Sequence, residues 1–413
     1  MNLAIDRDRV WSELEALAAI SEAPPPIVTR VVFTPADLEG RAFVKRLCVE
    51  AGLAIREDAV GNTFARWTGT EPGLPPIATG SHIDAIPNAG RFDGTVGVLG
   101  AIEAIRALQR AGLRPRRSIE LITFTAEEPT RFGIGCLGSR FMAGLLNDSS
   151  GASLKDRDGV SLDQARAAAG FSGTLSSVRL TPGQYSAFVE LHIEQGPLLE
   201  QRGNDVAVVT AIAAPASLRL WIEGEGGHAG AVLMPDRRDA FLAAAEIALA
   251  VEAAAKSTGA IDTVATVGVC EVFPGAINSI PSRVKIEIDI RDIDGPRRDA
   301  VVQKTHANIA AIAARRRVTV KTEVLNSDAP AQCDPAVVQT LIDAAQAHGL
   351  RYETLISRAY HDSLFLSRMA PTAMLFIPCR GGISHRPDEF SSPEAIARGA
   401  LVLGEALRRL ANR

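Results

Sequence analysis

Five short motifs containing histidine, aspartate and glutamate are spread along almost the whole chain, and they limit the folds that it can adopt. Together these residues form the ligand set of a two-metal hydrolytic site, with one carboxylate left over. The fold must therefore bring distant segments to one place. The motifs are Gly80-Ser81-His82-Ile83-Asp84, Arg91-Phe92-Asp93-Gly94, Thr125-Ala126-Glu127-Glu128-Pro129, Glu190-Leu191-His192-Ile193-Glu194-Gln195-Gly196 and Gly382-Ile383-Ser384-His385.

Asp93 is the best candidate for a carboxylate that bridges two divalent metals, which lie about 3.5 Å apart in such sites. Each of its oxygens can reach one metal, and Gly94 lets the backbone approach closely. An alternative is that each histidine only caps a strand or satisfies a core hydrogen bond. That alternative explains one isolated histidine but not five motifs together. We expect one metal to be completed by His82 and His192 and the other by Glu128 and His385.

The Glu127-Glu128 pair follows an apolar segment, and neighbouring side chains on an extended chain point in opposite directions. We therefore expect Glu128 to bind metal and Glu127 to face the substrate. There Glu127 would act as the general base that takes a proton from water and passes it to the leaving nitrogen. Asp84 lies two residues after His82 and points to the same side, so we expect it to hold the imidazole N–H of His82.

The segment around these motifs alternates between strand and helix patterns. An apolar run begins at Ile77 and ends at His82, residues 98–108 have apolar side chains at helical spacing, and residues 119–124 form a near-continuous apolar run. Strands that alternate with helices predict an α/β fold with a mostly parallel sheet, whose ligands gather at the carboxyl ends of the strands.

The region from about Leu218 to about Leu325 has a different pattern. An Ala-rich helix is predicted over 238–256 and another over 299–317, and polar and apolar residues alternate over 284–291 and 318–324. This order predicts an inserted α+β domain over 215–328. Residues 1–214 and 329–413 then form one discontinuous α/β catalytic domain with a mixed or parallel sheet flanked by helices.

Composition excludes several classes of partner. The formal net charge of −4 gives no reason to expect nucleic acid or an anionic membrane as a partner, and no apolar run approaches the length of a membrane span. The five scattered cysteines lack C-x-x-C spacing and suit reduced thiols. The first residues contain no apolar signal segment. We therefore expect a cytoplasmic enzyme.

Several polar residues outside the metal motifs are candidates for substrate recognition. His228 lies between glycines in Gly226-Gly227-His228-Ala229-Gly230 and can donate to a developing oxyanion, or it is a turn histidine without a role. Arg291, on the polar face of its strand, is either a bidentate carboxylate clamp or a solvated arginine. Further candidates near motifs or in loops are Gln195, Asn278, Tyr360 and His361.

Quoted together, these motifs resemble the hydantoinase/carbamoylase branch of the metallopeptidase-like amidohydrolases, from about residue 10 to the C-terminus. Within that branch, ureidoglycolate amidohydrolases are the most similar, because this chain has Arg358-Ala359-Tyr360-His361-Asp362-Ser363 where carbamoylases and allantoate enzymes typically have Gly-Ala-Gly-His-Asp-Ala. The positions that match residue by residue are the five metal-ligand positions, Glu127, Gln195, His228, Asn278 and Arg291.

The resemblance implies a two-domain metallopeptidase-like fold with two divalent metals per subunit, manganese or else zinc. It also implies a homodimer formed through the inserted lid, in which His228 reaches the partner subunit's active site. We expect hydrolysis of a linear ureido C–N bond, with (S)-ureidoglycolate giving glyoxylate, ammonia and CO2. The alternatives are an N-carbamoyl-L-amino acid hydrolase, an allantoate amidohydrolase, or a metal-binding paralogue that has lost catalysis.

Overall fold

The structure, a computed structural model, describes residues 3–413. Short 3-10 turns cover Leu175–Val178, Met234–Asp236 and Arg380–Gly382. The helices are α1 (Arg7–Ala19), α2 (Pro35–Glu50), α3 (Thr95–Arg110), α4 (Leu137–Met142), α5 (Asp148–Ser153), α6 (Leu162–Ala168), α7 (Leu198–Arg202), α8 (Ala240–Lys256), α9 (Gly295–Arg316), α10 (Pro335–Ala347), α11 (Asp362–Leu366) and α12 (Pro393–Ala411). The strands are β1 (Val28–Arg30), β2 (Ala54–Glu57), β3 (Thr63–Trp67), β4 (Ile77–His82), β5 (Ala85–Ala89), β6 (Ile119–Phe124), β7 (Ala187–Ile193), β8 (Val206–Ile212), β9 (Ala214–Glu223), β10 (Gly227–His228), β11 (Val264–Phe273), β12 (Ser279–Ile280), β13 (Arg283–Asp292), β14 (Thr319–Ser327), β15 (Ala331–Gln332), β16 (Tyr352–Ser357) and β17 (Thr372–Ile377).

The chain forms two compact units. The first contains the chain up to Thr210 together with Cys333–Ser357 and His361–Arg413, and the second contains Ala211–Gln332 and Arg358–Tyr360. The boundaries expected from the sequence, after residues 214 and 328, lie four residues from those of the second unit. Their division into a catalytic domain and a lid stays a prediction.

A mixed sheet forms the centre of the first unit. Its strands run in the order β8-β17-β7-β4-β6-β3-β2, with β16 beside β8. The four middle strands, β17, β7, β4 and β6, are mutually parallel, whereas β8, β3 and β2 pair antiparallel at the two sides. The buried strands are apolar along their length, as the sequence of 119–124 predicts, because both faces of such a sheet are covered.

Neighbouring residues of β7 show that helices cover both faces of this sheet. Side chains alternate between the faces of a strand. A Cβ atom placed on Gly100 in α3 or on Gly399 in α12 would lie 2.8 Å from a methyl carbon of Leu191, so both helices pack on the Leu191 face. On the other face, the carboxylate of Glu190 accepts a hydrogen bond of 2.6 Å from the hydroxyl of Ser363 in α11. The observed architecture confirms the predicted α/β class.

The second unit has an antiparallel sheet in the order β11-β13-β9-β14, and α8 and α9 pack against it. The chain order β9-α8-β11-β13-α9-β14, apart from the two-residue strands β10 and β12, contains the two helices and the alternating strands that the sequence predicts for the α+β insert. Alternation in β13 buries one face among the helices and leaves the other face polar. The buried core residues of β9 and β13 are Leu218, Leu220, Ile222, Val284, Ile286, Ile288 and Ile290.

Within residues 3–413, no helix combines the length and the apolar character that crossing a membrane requires.

Candidate metal centre and active site

Three parallel strands deliver candidate metal ligands to one edge of the central sheet. His82 is the last residue of β4, His192 is the second-last residue of β7, and β6 ends three residues before Glu127. The carboxyl ends of parallel strands meet at the same edge, which is where α/β folds build their sites. Both histidines are buried, with relative exposures of 1% or less.

Asp93 reaches this edge from the loop between β5 and α3. Gly94 caps the helix with a φ of +65°, and a Cβ atom at this position would lie 2.4 Å from Nε2 of His82. Only glycine allows both the left-handed backbone and this close approach. The Gly94 that follows the aspartate therefore places the carboxylate of Asp93 directly between the imidazoles.

The ligand atoms form two groups that share the carboxylate of Asp93. Its Oδ1 lies 3.4 Å from Nε2 of His82 and 3.2 Å from Nε2 of His192. Its Oδ2 lies 3.4 Å from Nε2 of His385, which is itself 3.3 Å from Oε1 of Glu128. Each oxygen of Asp93 therefore faces a separate set of ligands, as the sequence predicts for a bridging carboxylate.

These spacings fit two divalent cations. Ligand atoms that surround a tetrahedral ion at 2.0–2.1 Å are separated from one another by about 3.3 Å. The measured N···O distances of 3.2–3.4 Å match that separation. In addition, the buried Nε2 of His82 has no hydrogen-bond partner within residues 3–413. The donor set of imidazole nitrogens and carboxylate oxygens suits zinc or manganese.

The buried carboxylates of the cluster are also more stable when a positive charge lies near them. Burial raises the pKa of Glu127 well above its ordinary value, and the nearby carboxylates of Glu128, Asp362 and Asp93 raise it further, against the opposing effect of His82. Several carboxylates held together away from water are costly unless a cation or protons neutralise them. Bound divalent cations would remove that cost.

The backbone directs Glu127 and Glu128 to different parts of the centre. Ala126 has a φ of +53°, and after this turn Oε2 of Glu127 lies 3.8 Å from Nε2 of His82. Oε1 of Glu128 lies beside His385 instead. The two carboxylates therefore diverge, as the sequence predicts.

Asp84 takes a position that differs in part from the expected one. The close contact to Nδ1 of His82 is made by the backbone carbonyl of Asp84, at 3.0 Å, while its carboxylate is 3.6 Å away. That carboxylate accepts the backbone N–H groups of Glu127 and Glu128, at 3.2 and 3.0 Å. Two backbone donors bind it more closely than the imidazole, so Asp84 orients the Glu-Glu segment.

Gln195 also differs from its expected role in substrate binding. It has a φ of +55°, and its amide nitrogen donates to Oδ2 of Asp93 at 2.5 Å. The hydroxyl of Ser384 lies 2.6 Å from the same oxygen. The amide nitrogen of Gln195 is therefore bound to Asp93, while its buried amide oxygen has no hydrogen-bond partner within residues 3–413.

His361, which the sequence predicts to contact substrate, is only 2% exposed in this structure. Its ring centroid lies 4.5 Å from that of His192 and 5.9 Å from that of Phe376, and Nε2 is 3.1 Å from the hydroxyl of Ser357. Burial lowers the pKa of His361 well below its ordinary value, and nearby His192 lowers it further. His361 is thus a neutral ring that packs against the candidate metal ligand His192.

The candidates of the inserted region belong to the second unit. His228 in β10 is exposed, and β10 pairs with β12 so that His228 lies opposite Ser279. The carbonyl of Asn278 accepts the N–H of Ala229 at 2.8 Å. The structure therefore brings two of the predicted site residues, His228 and Asn278, close together.

Arg291 and Tyr360 are the other candidates in the second unit. The guanidinium of Arg291 already binds the carboxylate of Asp289 through Nε and Nη2, at 2.7 and 3.2 Å, and Nη1 donates to the carbonyl of Arg358 at 3.3 Å. Tyr360 is half-buried. Arg291 therefore presents the bidentate geometry that recognises a carboxylate, with Asp289 as its present partner.

Sequence reasoning missed several buried polar residues around the centre. Glu389 accepts the backbone N–H of Asp93, the thiol of Cys136 donates to Glu127, and Asp362 pairs with the hydroxyl of Ser139. Each of these hydrogen bonds joins residues at least nine positions apart in the sequence, so no local sequence pattern predicts it. The one signal that includes them is the family resemblance, which runs from about residue 10 to the C-terminus.

Comparison with known proteins decides the family. The model of peptidase family M20/M25/M40 matches residues 78–409. The chain belongs to this family. A member named ureidoglycolate hydrolase, from Arabidopsis thaliana, is 53% identical over 416 residues, which cover 99% of this chain and 87% of that protein. Another, the N-carbamoyl-L-amino acid amidohydrolase of Geobacillus stearothermophilus, is 38% identical over 98% of this chain and 99% of its own.

A solved M20-type structure is also close. The crystal structure of AtUAH in complex with glyoxylate matches this chain with a TM-score of 0.91 at 53% identity, and the match covers 99% of this chain and 98% of that one. The chain is therefore a two-domain M20-family hydrolase that acts on C–N bonds.

Proposed function

We propose that this chain hydrolyses (S)-ureidoglycolate. The observation that carries this proposal is its 53% identity, across 99% of the chain, to a protein named ureidoglycolate hydrolase. Water adds to the ureido carbonyl, the bond to the terminal nitrogen breaks, and ammonia leaves. The remaining carbamate loses CO2, and the resulting amino alcohol releases a second ammonia to give glyoxylate.

We further propose that the centre holds two divalent cations, with manganese as the first choice and zinc as the second. Asp93 would bridge them, His82 and His192 would hold one, and Glu128 and His385 the other. When bound, such a pair supplies Lewis-acid polarisation of a carbonyl and lowers the pKa of water. The N···O separations of 3.2–3.4 Å support this assignment.

Glu127 is proposed as the general base. Its Oε1 is occupied by the thiol of Cys136, whereas Oε2 faces the ligand cluster. Oε2 would take the proton from the attacking water and then deliver it to the departing nitrogen, which must be protonated before it leaves. Asp84 keeps Glu127 in place by holding its backbone N–H.

Substrate recognition is proposed for residues of the second unit. Arg291 would bind the substrate carboxylate, which would join or replace Asp289 at the guanidinium. Asn278 would bind the polar flank and His228 the developing oxyanion. Tyr360 is proposed to recognise the hydroxyl on the reacting molecule. Gln195, which the sequence predicts to bind substrate, is proposed instead to hold the carboxylate of Asp93.

We propose a homodimer in which the inserted domain, residues 215–328, serves as lid and dimerisation element. His228 would then complete the partner subunit's active site. Homodimers of His228→Ala and of Glu127→Ala should each be inactive, while mixed dimers should recover activity because one site combines intact copies of both residues. Verified mixed dimers without any activity would contradict this composite site.

Cytoplasmic location is also a proposal. The five cysteines are unpaired, and four of them are buried. Free thiols persist in reducing compartments.

Three alternatives to this function are considered. An N-carbamoyl-L-amino acid hydrolase is favoured by the 38% identity to the Geobacillus stearothermophilus enzyme over nearly the full length of both chains. Allantoate is a third ureido substrate of the resembled branch. A non-catalytic metal-binding paralogue is disfavoured by Glu127, since a purely structural site has no use for a spare buried carboxylate beside its ligands.

Ammonia release, measured with manganese added, tests the proposal. The substrates are ureidoglycolate, allantoate, N-carbamoylglycine and N-carbamoyl-L-methionine, each over a concentration series. We expect ureidoglycolate to have the highest kcat/KM. A higher value for allantoate or for an N-carbamoyl amino acid would replace the proposed substrate, and no ammonia from any of them with two metals bound would favour the non-catalytic paralogue.

A further inference from the structure

Glu389 is a buried carboxylate that no step of the proposed mechanism uses. Its side chain is only 2% exposed. Oε1 accepts two backbone N–H groups, from Phe92 at 2.7 Å and from Asp93 at 3.1 Å. Because this buried carboxylate binds the N–H groups of both Phe92 and Asp93, it fixes the path of the backbone at these two residues.

The other oxygen of Glu389 reaches the opposite end of the same aspartate. Oε2 lies 2.8 Å from the hydroxyl of Ser384, and Oδ2 of Asp93 lies 2.6 Å from the same hydroxyl, which has one proton and donates it to one of these two oxygens at a time. Glu389 therefore contacts Asp93 directly at its amide and, through Ser384, at its carboxylate. Asp93 is thus restrained both at its backbone amide and at its carboxylate.

The contacts of Glu389 and Ser384 with Asp93 also join two distant parts of the chain. Ser384 precedes the metal-ligand candidate His385, and the N–H of Glu389 donates to the carbonyl of Arg386 at 3.1 Å, so residues 386–389 form a turn directly after His385. This turn follows β17, whereas Asp93 precedes α3. The fit is tight, because a Cβ atom at Gly90 would lie 2.4 Å from the Cβ of Glu389.

We propose that Glu389 is a positioning residue that sets the position of Asp93 relative to His385, and thereby the affinity of the metal pair. The inference rests on the proposed metal assignment. Partners that hold metal ligands typically contribute tenfold to a hundredfold to metal affinity. Loss of Glu389 would let Asp93 and the His385 turn move independently, and ligand sets of this kind tolerate little displacement.

The test is manganese binding to the metal-free protein by calorimetry, which requires no substrate. The variants are Glu389→Ala, Glu389→Gln and Ser384→Ala. We expect Glu389→Ala to weaken manganese binding by about tenfold to a hundredfold. Glu389→Gln keeps an oxygen for the two N–H groups and an amide that can donate to Ser384, so it should recover most of the affinity. Ser384→Ala should lie between them.

Glu405→Ala is the matched control, because Glu405 is also a buried carboxylate (4% exposed) but binds arginines of α12. It should lower thermal stability and leave manganese affinity unchanged. A folded Glu389→Ala protein with wild-type manganese affinity would overturn the inference. If that variant does not fold, wild-type affinity in Ser384→Ala would overturn it instead. A wild-type protein that binds no manganese or zinc would refute the proposed metal centre itself.

Discussion

Sγ of Cys136 lies 3.2 Å from Oε1 of Glu127, and the thiol donates a hydrogen bond to that oxygen. The backbone N–H of Cys136 also donates to the carbonyl of Glu127 at 2.7 Å. With its own N–H bound by Asp84, Glu127 is held at three points, and only Oε2 faces His82. The proposed base is therefore fixed in orientation by its own backbone and by one thiol.

Replacing Cys136 tests the importance of that orientation. Cys136→Ala removes the donor and should lower kcat by roughly threefold to tenfold, since a hydrogen bond of this kind contributes about 1 kcal/mol. Cys136→Ser restores a donor of similar size and should recover most of kcat. Steady-state kinetics with manganese at saturation measure both variants, and equal loss in the two would assign the effect to packing.

Glu127→Gln keeps the volume and removes the base. We expect kcat to fall by about two orders of magnitude or more, as for the loss of general acid–base catalysis, while two metals per chain remain bound. Elemental analysis checks the metal content. If Glu127→Gln lost a metal and Glu128→Gln retained both, the roles of the two carboxylates would have to be exchanged.

Chelation should abolish activity, and manganese should restore it. Asp93→Ala should lose both metals rather than one, because each of its oxygens faces a different ligand pair. His385→Ala should lose only the metal that it shares with Glu128. Metal-free protein that turned over substrate at the original rate would disprove the metal centre.

Much of the fold, and the grouping of the candidate ligands, could be predicted from the sequence. The predicted helix over 238–256 is α8, Ala240–Lys256, and the alternating strand over 284–291 lies within β13, Arg283–Asp292. Both were predictable because apolar periodicity records which face of an element is buried. His82, Glu128 and His192 converge because the parallel strands β4, β6 and β7 end at one edge of the sheet.

Side-chain partners within the centre could not be predicted. Asp84 was expected to bind its sequence neighbour His82, but its carboxylate binds amides more than forty residues away. Glu389 meets Asp93 across nearly three hundred residues. His361 is a polar residue beside a motif, and only the packing of α11 behind β7 shows that it is buried. Periodicity carries no information on such contacts.

Acid should weaken the C-terminal helix α12 through Glu405. Burial alone would raise the pKa of Glu405, but hydrogen bonds from Arg408 and Arg409 outweigh it and lower the pKa to about 2, below the ordinary 4.5. A depressed pKa contributes stability above pH 4.5 that is lost as the pH falls towards 2.

Urea unfolding of the metal-free protein checks this. Glu405→Gln should be less stable than wild type at pH 7 by about 1 kcal/mol, a value reduced for solvent screening of the partly exposed arginines. The difference should shrink as the pH falls from 4.5 to 3. A constant difference across that range would show that Glu405 acts through packing rather than charge.

Tyr360 is expected to decide substrate choice, since it is the more exposed of the pair and His361 is buried against His192. Ureidoglycolate carries a hydroxyl where carbamoyl amino acids carry hydrogen or a hydrocarbon. A site that hydrogen-bonds a hydroxyl can reject an analogue without it by factors of roughly 10⁴. We therefore expect kcat/KM for ureidoglycolate to exceed that for N-carbamoylglycine by at least about a hundredfold.

Two substitutions separate the size of Tyr360 from its hydroxyl. Tyr360→Phe keeps the ring and removes the donor, so it should lower kcat/KM for ureidoglycolate and leave that for N-carbamoylglycine nearly unchanged. Tyr360→Gly, the residue typical of carbamoylases before this histidine, should also raise the rate with bulky N-carbamoyl-L-methionine, because it opens space as well. Unchanged selectivity in both variants would remove Tyr360 from substrate recognition, and preferential turnover of N-carbamoyl-L-methionine by the unmodified protein would favour the carbamoylase function.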